Sequence, residues 1–91
     1  MALEKSVMVT ISSSHVPHDK RDRSVVDPVA KRYLDANGAA YREGWILALD
    51  AREGRPAWLA KLADEVALEG AQYLRIDADG PIVLGYEVYD W

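Results

Sequence analysis

Apolar positions along the chain change period several times, and each change marks an element. Val7, Val9 and Ile11 alternate with Met8, Thr10 and Ser12 and are rich in β-branching, which predicts a mostly buried strand over residues 6–13. The stretch to Val26 loses all periodicity, mixes charges of both signs and contains Pro17, as a long surface loop does. Asp27 followed by Pro28 then reads as a helix start: the carboxylate can accept from open N–H groups, and proline's missing donor costs nothing at the first helical position. Val29, Ala30, Tyr33 and Leu34 form the apolar stripe of a helix over 28–36, and Asn37-Gly38 suits a left-handed helix end.

Residues 41–49, ending in Trp45-Ile46-Leu47-Ala48-Leu49, read as one strand, apolar on both faces in its second half and therefore central in the sheet. Arg52-Glu53-Gly54-Arg55-Pro56 breaks the chain, and Pro56 opens a second helix that lacks a good side-chain cap. Trp58, Leu59, Leu62, Ala63, Val66 and Ala67 recur at the spacing of one buried face, Lys61, Asp64 and Glu65 cover the other, and Gly70 stops the helix. A strand over 72–77 directs Leu74 and Ile76 inward, and Asp79-Gly80-Pro81 turns the chain into a further strand at Ile82-Val83-Leu84. The alternating end, 86–91, forms a last edge strand or an ordered tail. The order β-α-β-α-β-β makes the economical α+β (α/β) architecture a two-layer sandwich, a three- to four-stranded sheet with two helices on one face.

Length confirms the scale of that picture: 91 residues leave room for one core, so the chain is read as a single domain over 1–91. No cysteine is present, which excludes disulfides and thiolate ligands and favours a reducing, cytoplasmic setting. The start lacks the pattern of a secretory signal, and no apolar run approaches a membrane span. Charge is divided unevenly. The formal net is −4, but residues 1–45 carry +1 and residues 46–91 carry −5, and from Asp64 onward only Arg75 opposes seven acids. Such a half repels phosphate backbones, so direct nucleic-acid binding is disfavoured. Lys20-Arg21-Asp22-Arg23 reads as a solvated loop.

Candidate chemistry is sparse. His15-Val16-Pro17-His18-Asp19 offers two imidazoles and a carboxylate that could hold zinc if Glu43 or another acid completed the set, but the spacing specifies no ligand geometry. Ser12-Ser13-Ser14-His15 places hydroxyls beside a base, yet neighbours in an extended chain point apart, and short polar side chains at a strand end bond local backbone groups instead. Asp77-Ala78-Asp79-Gly80 has the start of a calcium loop without its later ligands and reads as a hairpin turn. The aromatic set is more telling: three Trp, five Tyr and no Phe give every aromatic a polar handle, as interfaces favour. Trp45 and Trp58 are assigned mainly to the core, whereas Tyr86, Tyr89 and Trp91 suit a docked tail or a contact surface.

Ser13-Ser14-His15-Val16, Glu43-Gly44-Trp45-Ile46, Ile76-Asp77-Ala78-Asp79-Gly80 and the closing Tyr89-Asp90-Trp91 together resemble a bacterial family, domain of unknown function 5983, across nearly the whole chain. Ala78 departs from that pattern, which tends to have a basic residue between the two acids. The resemblance implies a bacterial or mobile-element accessory protein and brings no established activity.

Three expectations of function follow. The first is a non-catalytic protein-binding accessory protein, phage- or plasmid-borne, that inhibits or modulates a host effector such as a CRISPR complex and needs no cofactor. Its partner-binding residues are His15, Trp45, Glu69, Asp77, Asp79, Glu87, Tyr89, Asp90 and Trp91, and it engages neither nucleic acid directly nor a membrane. The second is a small metal-dependent or hydrolytic enzyme using His15, His18 and the acidic turn. The third is a self-associating module whose last strand pairs across a homodimer.

Overall fold

A computed structural model describes residues 7–50 and 53–89. Strand β1 (Met8–Ser12) runs into a single 3₁₀ turn, Ser13–His15; helix α1 (Pro28–Asn37), strands β2 (Gly38–Tyr41) and β3 (Gly44–Ala48), helix α2 (Ala57–Leu68) and strand β4 (Tyr73–Asp77) follow. The sheet order is β1-β4-β3-β2, with β1 parallel to β4 and the other pairs antiparallel.

Register puts Val9, Ile11, Leu74, Ile76, Trp45 and Leu47 on one face. Ile11, Leu47, Leu74 and Ile76 join Ala30, Tyr33 and Leu34 of α1 and Leu59, Leu62, Ala63 and Val66 of α2 in one buried cluster. Both helices therefore cover the same face, as the two-layer reading expects. The opposite face carries Thr10, Tyr41, Arg75 and Asp77, where Arg75 Nε donates to Thr10 Oγ1 at 3.0 Å.

Local signals account for most element ends. Asp27 Oδ2 accepts from the Ala30 N–H at 3.1 Å with Pro28 at the first helical turn. Helix α2 begins after Pro56 with no side-chain cap and ends in a Schellman arrangement: the Gly70 N–H donates to the Ala67 carbonyl, the Ala71 N–H to that of Val66, and Gly70 takes φ +92°. Trp58 and Ala67 lie half-buried at the edge of the α2 core face, and Trp45 also packs against the core. Val29, placed on the apolar stripe of α1 by spacing, is instead largely exposed.

Three expectations are corrected. The segment 41–49 is not one strand but the second half of a hairpin: Tyr41 pairs with Gly44 across the two-residue loop Arg42-Glu43. A two-residue hairpin usually advertises itself through residues that accept positive φ, and no non-glycine residue here has one. Asn37-Gly38 does not form a left-handed end either. Gly38 is extended (φ −121°) because the helix passes directly into β2, and the Asn37 side-chain amide donates to the Tyr33 carbonyl at 2.9 Å. What glycine supplies at 38 is room, since a Cβ there would lie 2.6 Å from Leu47 and 2.9 Å from the Leu34 carbonyl oxygen. Finally, 82–84 is not a strand, and the Asp77–Gly80 turn leads into irregular chain; the element order is β-α-β-β-α-β. Pro81 has no N–H to give, and the Val83 N–H is taken by a side chain, so the segment cannot build a ladder.

Candidate functional site

Most sequence-selected residues gather where β1 and β4 end, and His15 organises one group of them. The hydroxyl of Ser12 accepts from the Ser14 N–H at 3.0 Å, which starts the 3₁₀ turn and swings His15 inward, leaving it only 3% exposed. The Val83 N–H donates to His15 Nε2 at 2.9 Å, and His15 Nδ1 lies 2.9 Å from the Glu87 carbonyl oxygen. A backbone N–H can only donate and a carbonyl can only accept, so the two bonds together assign the neutral ring with its proton on Nδ1. His15 thus spends both nitrogens on holding residues 81–89. The Ser12 N–H to the Pro81 carbonyl (2.8 Å) and the Tyr89 N–H to the Ser14 carbonyl (2.8 Å) fix the two ends of the same segment.

Asp77 belongs to a second group. The Tyr41 hydroxyl donates to its Oδ2 at 2.6 Å and the Asp79 N–H to its Oδ1 at 2.8 Å. Tyr41 donation, then the Asp79 N–H, hold the Asp77 carboxyl below the usual carboxylate range. Burial first, then this hydrogen bond, push the Tyr41 phenol up to about 12. Asp79 itself is exposed, and the Ala78 N–H donates to the Glu43 carbonyl at 3.0 Å, tying the turn to the β2–β3 hairpin.

Trp45 stands apart from both groups. Its indole Nε1 donates to Asp35 at 3.1 Å, and Asp35 also pairs with Lys31 at 2.6 Å one helical turn earlier. Beside it opens a cleft of about 400 Å³ between α1, the hairpin and the start of the long loop, with Val16, Tyr41 and Trp45 among its walls. Donation from Lys31 and then Trp45 lowers the Asp35 carboxyl.

Of the remaining selected residues, Glu69 caps the end of α2 and is exposed, while Glu87 is exposed and accepts from the Tyr89 hydroxyl at 3.2 Å. Burial, reinforced by Glu87, raises the Tyr89 phenol, whose ring meets His18 edge-on at 6.0 Å. Asp90 and Trp91 lie outside the described residues. The structure therefore joins His15, Glu87 and Tyr89, joins Asp77 with Asp79, and leaves Trp45 and Glu69 separate. His18 Nδ1 donates to the Asp19 carbonyl at 2.9 Å. Among the described residues no three His, Asp or Glu side chains are grouped to hold one metal ion, and no helix is long and apolar enough to cross a membrane.

Sequence reasoning missed Tyr41 and Asp35 as members of these groups, and it placed Tyr86 in a docked tail or contact surface without its partners. Tyr41 becomes visible only once the hairpin places it on the face shared with Asp77. Tyr86 packs edge-on to His15 at 6.4 Å, with Lys61 Nζ 5.9 Å from its ring centroid. The Glu65 carboxylate, reinforced by burial, pushes its phenol up to about 12. Spacing along the chain carries no trace of these long-range pairs.

No curated protein and no solved structure gives a significant match to this chain. The family model described as the C-terminal domain of a family of unknown function (DUF5983) matches residues 8–91, a span that contains every element above. The chain accordingly belongs to the family of unknown function DUF5983, as the Ser-His, Gly-Trp and Tyr-Asp-Trp motifs had indicated.

Proposed function

We propose that the chain is a non-catalytic protein-binding module that presents an acidic and apolar surface from its C-terminal half. The observation that carries this reading is the way residues 81–89 are held. Backbone bonds to Ser12, Ser14 and His15 fix the segment, so it need not bury its own apolar side chains. Val83 and Tyr86 pack on the core, whereas Ile82 is 56%, Leu84 92% and Val88 48% exposed. Leu68 at the end of α2 is 87% exposed as well. Large apolar side chains displayed on a pinned segment that carries Glu87, with Leu68 and Glu69 exposed at the end of α2, are what a partner surface needs.

In its finer form the proposal makes the partner a basic, nucleic-acid-binding effector of a bacterial host, such as a CRISPR complex, whose cationic site the −5 half of the chain would occupy. A cytoplasmic location and carriage on a phage or plasmid belong to the same proposal. The test immobilises the chain and a Leu84→Asp/Val88→Asp variant against bacterial lysate, with circular dichroism confirming that both are folded. A protein retained by the first, lost from the second, and weakened by salt and by charge reversal at Glu69 and Glu87 is the expected result. Equal retention by both, or none by either, overturns it.

A further inference from the structure

We propose that the outer edge of β1 and the groove beside it accept an extended peptide segment that carries apolar and basic side chains, added to the sheet as a fifth strand. This rests on the protein-binding reading and names the site and the chemistry of its occupant.

The phase of the backbone shows which groups are offered. The Val7 carbonyl accepts from the N–H groups of Gln72 and Tyr73, so residues 7, 9 and 11 direct their backbone groups toward β4. Residues 8, 10 and 12 therefore direct theirs away from the sheet. Ser12 uses its outward N–H on the Pro81 carbonyl, the point at which the chain's own C-terminal segment touches this edge. That contact goes no further along β1, and among the described residues none bonds the outward backbone of Met8 or Thr10. Edge strands are commonly blunted by lysine, proline or a bulge, and Met8–Ser12 contains no lysine or proline and pairs in unbroken register.

A groove of about 370 Å³ runs beside this edge on the helix-covered face. Val9 and Ile11 of β1, Leu62 and Val66 of α2, and Ile82 contribute apolar walls, so alternate side chains of an added strand would meet apolar surface. The α2 rim carries Glu65 and Glu69, four residues apart and both exposed, and among the described residues no Lys or Arg lines the groove. Lys61 lies a turn earlier on α2, over the Tyr86 ring. The Tyr86 hydroxyl, also at the groove, is buried beside Glu65 without a well-formed hydrogen bond among the described residues.

Charge decides between occupants. A second copy of this chain would offer one of its two sheet edges, Met8–Ser12 or Gly38–Tyr41, and neither strand has a cation to place between the glutamates. An extended segment with lysine or arginine at alternate positions satisfies the edge, the apolar walls and the acidic rim together.

The probe is a capped peptide of alternating valine and lysine, with a valine–glutamate peptide as its counterpart, titrated into the isotopically labelled full chain and followed by backbone amide NMR. The expected result is saturable shifts at Met8, Thr10, Glu65 and Glu69 with the lysine peptide, and binding about tenfold or more weaker with the glutamate peptide. Met8→Pro, which removes an outward N–H and leaves the β4 pairing intact, should abolish the shifts. Glu65→Gln with Glu69→Gln, on the exposed helix surface, should weaken the lysine peptide while leaving the spectrum folded. No shifts at these amides, equal affinity for the two peptides, or a doubling of mass that closes the edge would each overturn the proposal. If a captured partner is lost with Leu84→Asp/Val88→Asp yet kept by Met8→Pro, the edge site fails and the broader binding reading stands.

Discussion

Replacing His15 by alanine should detach the C-terminal segment without unfolding the sheet. The imidazole is buried and makes two hydrogen bonds, accepting from Val83 and donating to Glu87. Each such bond contributes about 0.5–1.5 kcal/mol net, and a buried backbone group left without a partner costs about 1–3 kcal/mol. The segment can avoid that second cost by opening to water, so the loss should appear as local opening, with a free-energy change of about 1–3 kcal/mol from the two bonds. At about 1.4 kcal/mol per tenfold, opening becomes roughly 5- to 150-fold more frequent.

Native-state amide exchange measured by NMR reads this directly. The Tyr89 N–H, bonded to the Ser14 carbonyl, reports release of the segment, while the β4 amides of Leu74 and Ile76 report the core. Acceleration at Tyr89 with much smaller change in β4 is expected. His15→Asn keeps a donor near the Nδ1 position but no acceptor at Nε2, so it should recover part of the protection. Unchanged exchange at Tyr89 in His15→Ala would refute the view that this ring pins the segment.

Gly44→Ala would set a Cβ 1.7 Å from the Ile76 carbonyl oxygen, a contact with backbone that cannot rotate aside; a loss of about 1–3 kcal/mol or more is expected as a lower Tm. Gly70→Ala meets no crowding but must hold φ +92°, so a smaller loss of about 1 kcal/mol should appear in denaturant unfolding. Because Tyr41 and then the Asp79 N–H depress Asp77, its stabilising contribution is complete above the unfolded carboxylate value near 3.8 and disappears as pH falls through the lower folded value. Tyr41→Phe should raise the Asp77 titration point in a carboxyl NMR titration, and no movement would refute the pairing. With its phenol raised to about 12, Tyr41 contributes stability that is complete below about 10 and lost as pH rises through 12. Ultraviolet titration of the wild type against Tyr41→Phe should remove a tyrosine that ionises near 12, and loss of one ionising near 10 instead would contradict the structure.

Wherever neighbours in sequence are also the physical cause, the chain by itself determined the outcome. Asp27-Pro28 starts α1, the spacing of Leu59, Leu62, Ala63 and Val66 sets the buried face of α2, Gly70 ends it, and the alternation through Ile11 makes β1. Those signals suffice for two helices on one face of a sheet, and the Ser-His, Gly-Trp and Tyr-Asp-Trp motifs suffice for the family resemblance. Tertiary structure alone decided whatever depends on groups far apart in sequence. It turned the segment read as one strand over 41–49 into a hairpin closed at Tyr41 and Gly44, where Gly44, lacking a Cβ, lies against the Ile76 carbonyl. It kept 81–89 out of the sheet because a proline and a distant histidine took its hydrogen-bonding positions. Tyr41 on Asp77 and His15 on Val83 span 36 and 68 residues, and no local pattern encodes a bond across that separation; only the packed sheet, by fixing register and edges, brings the donors to their acceptors.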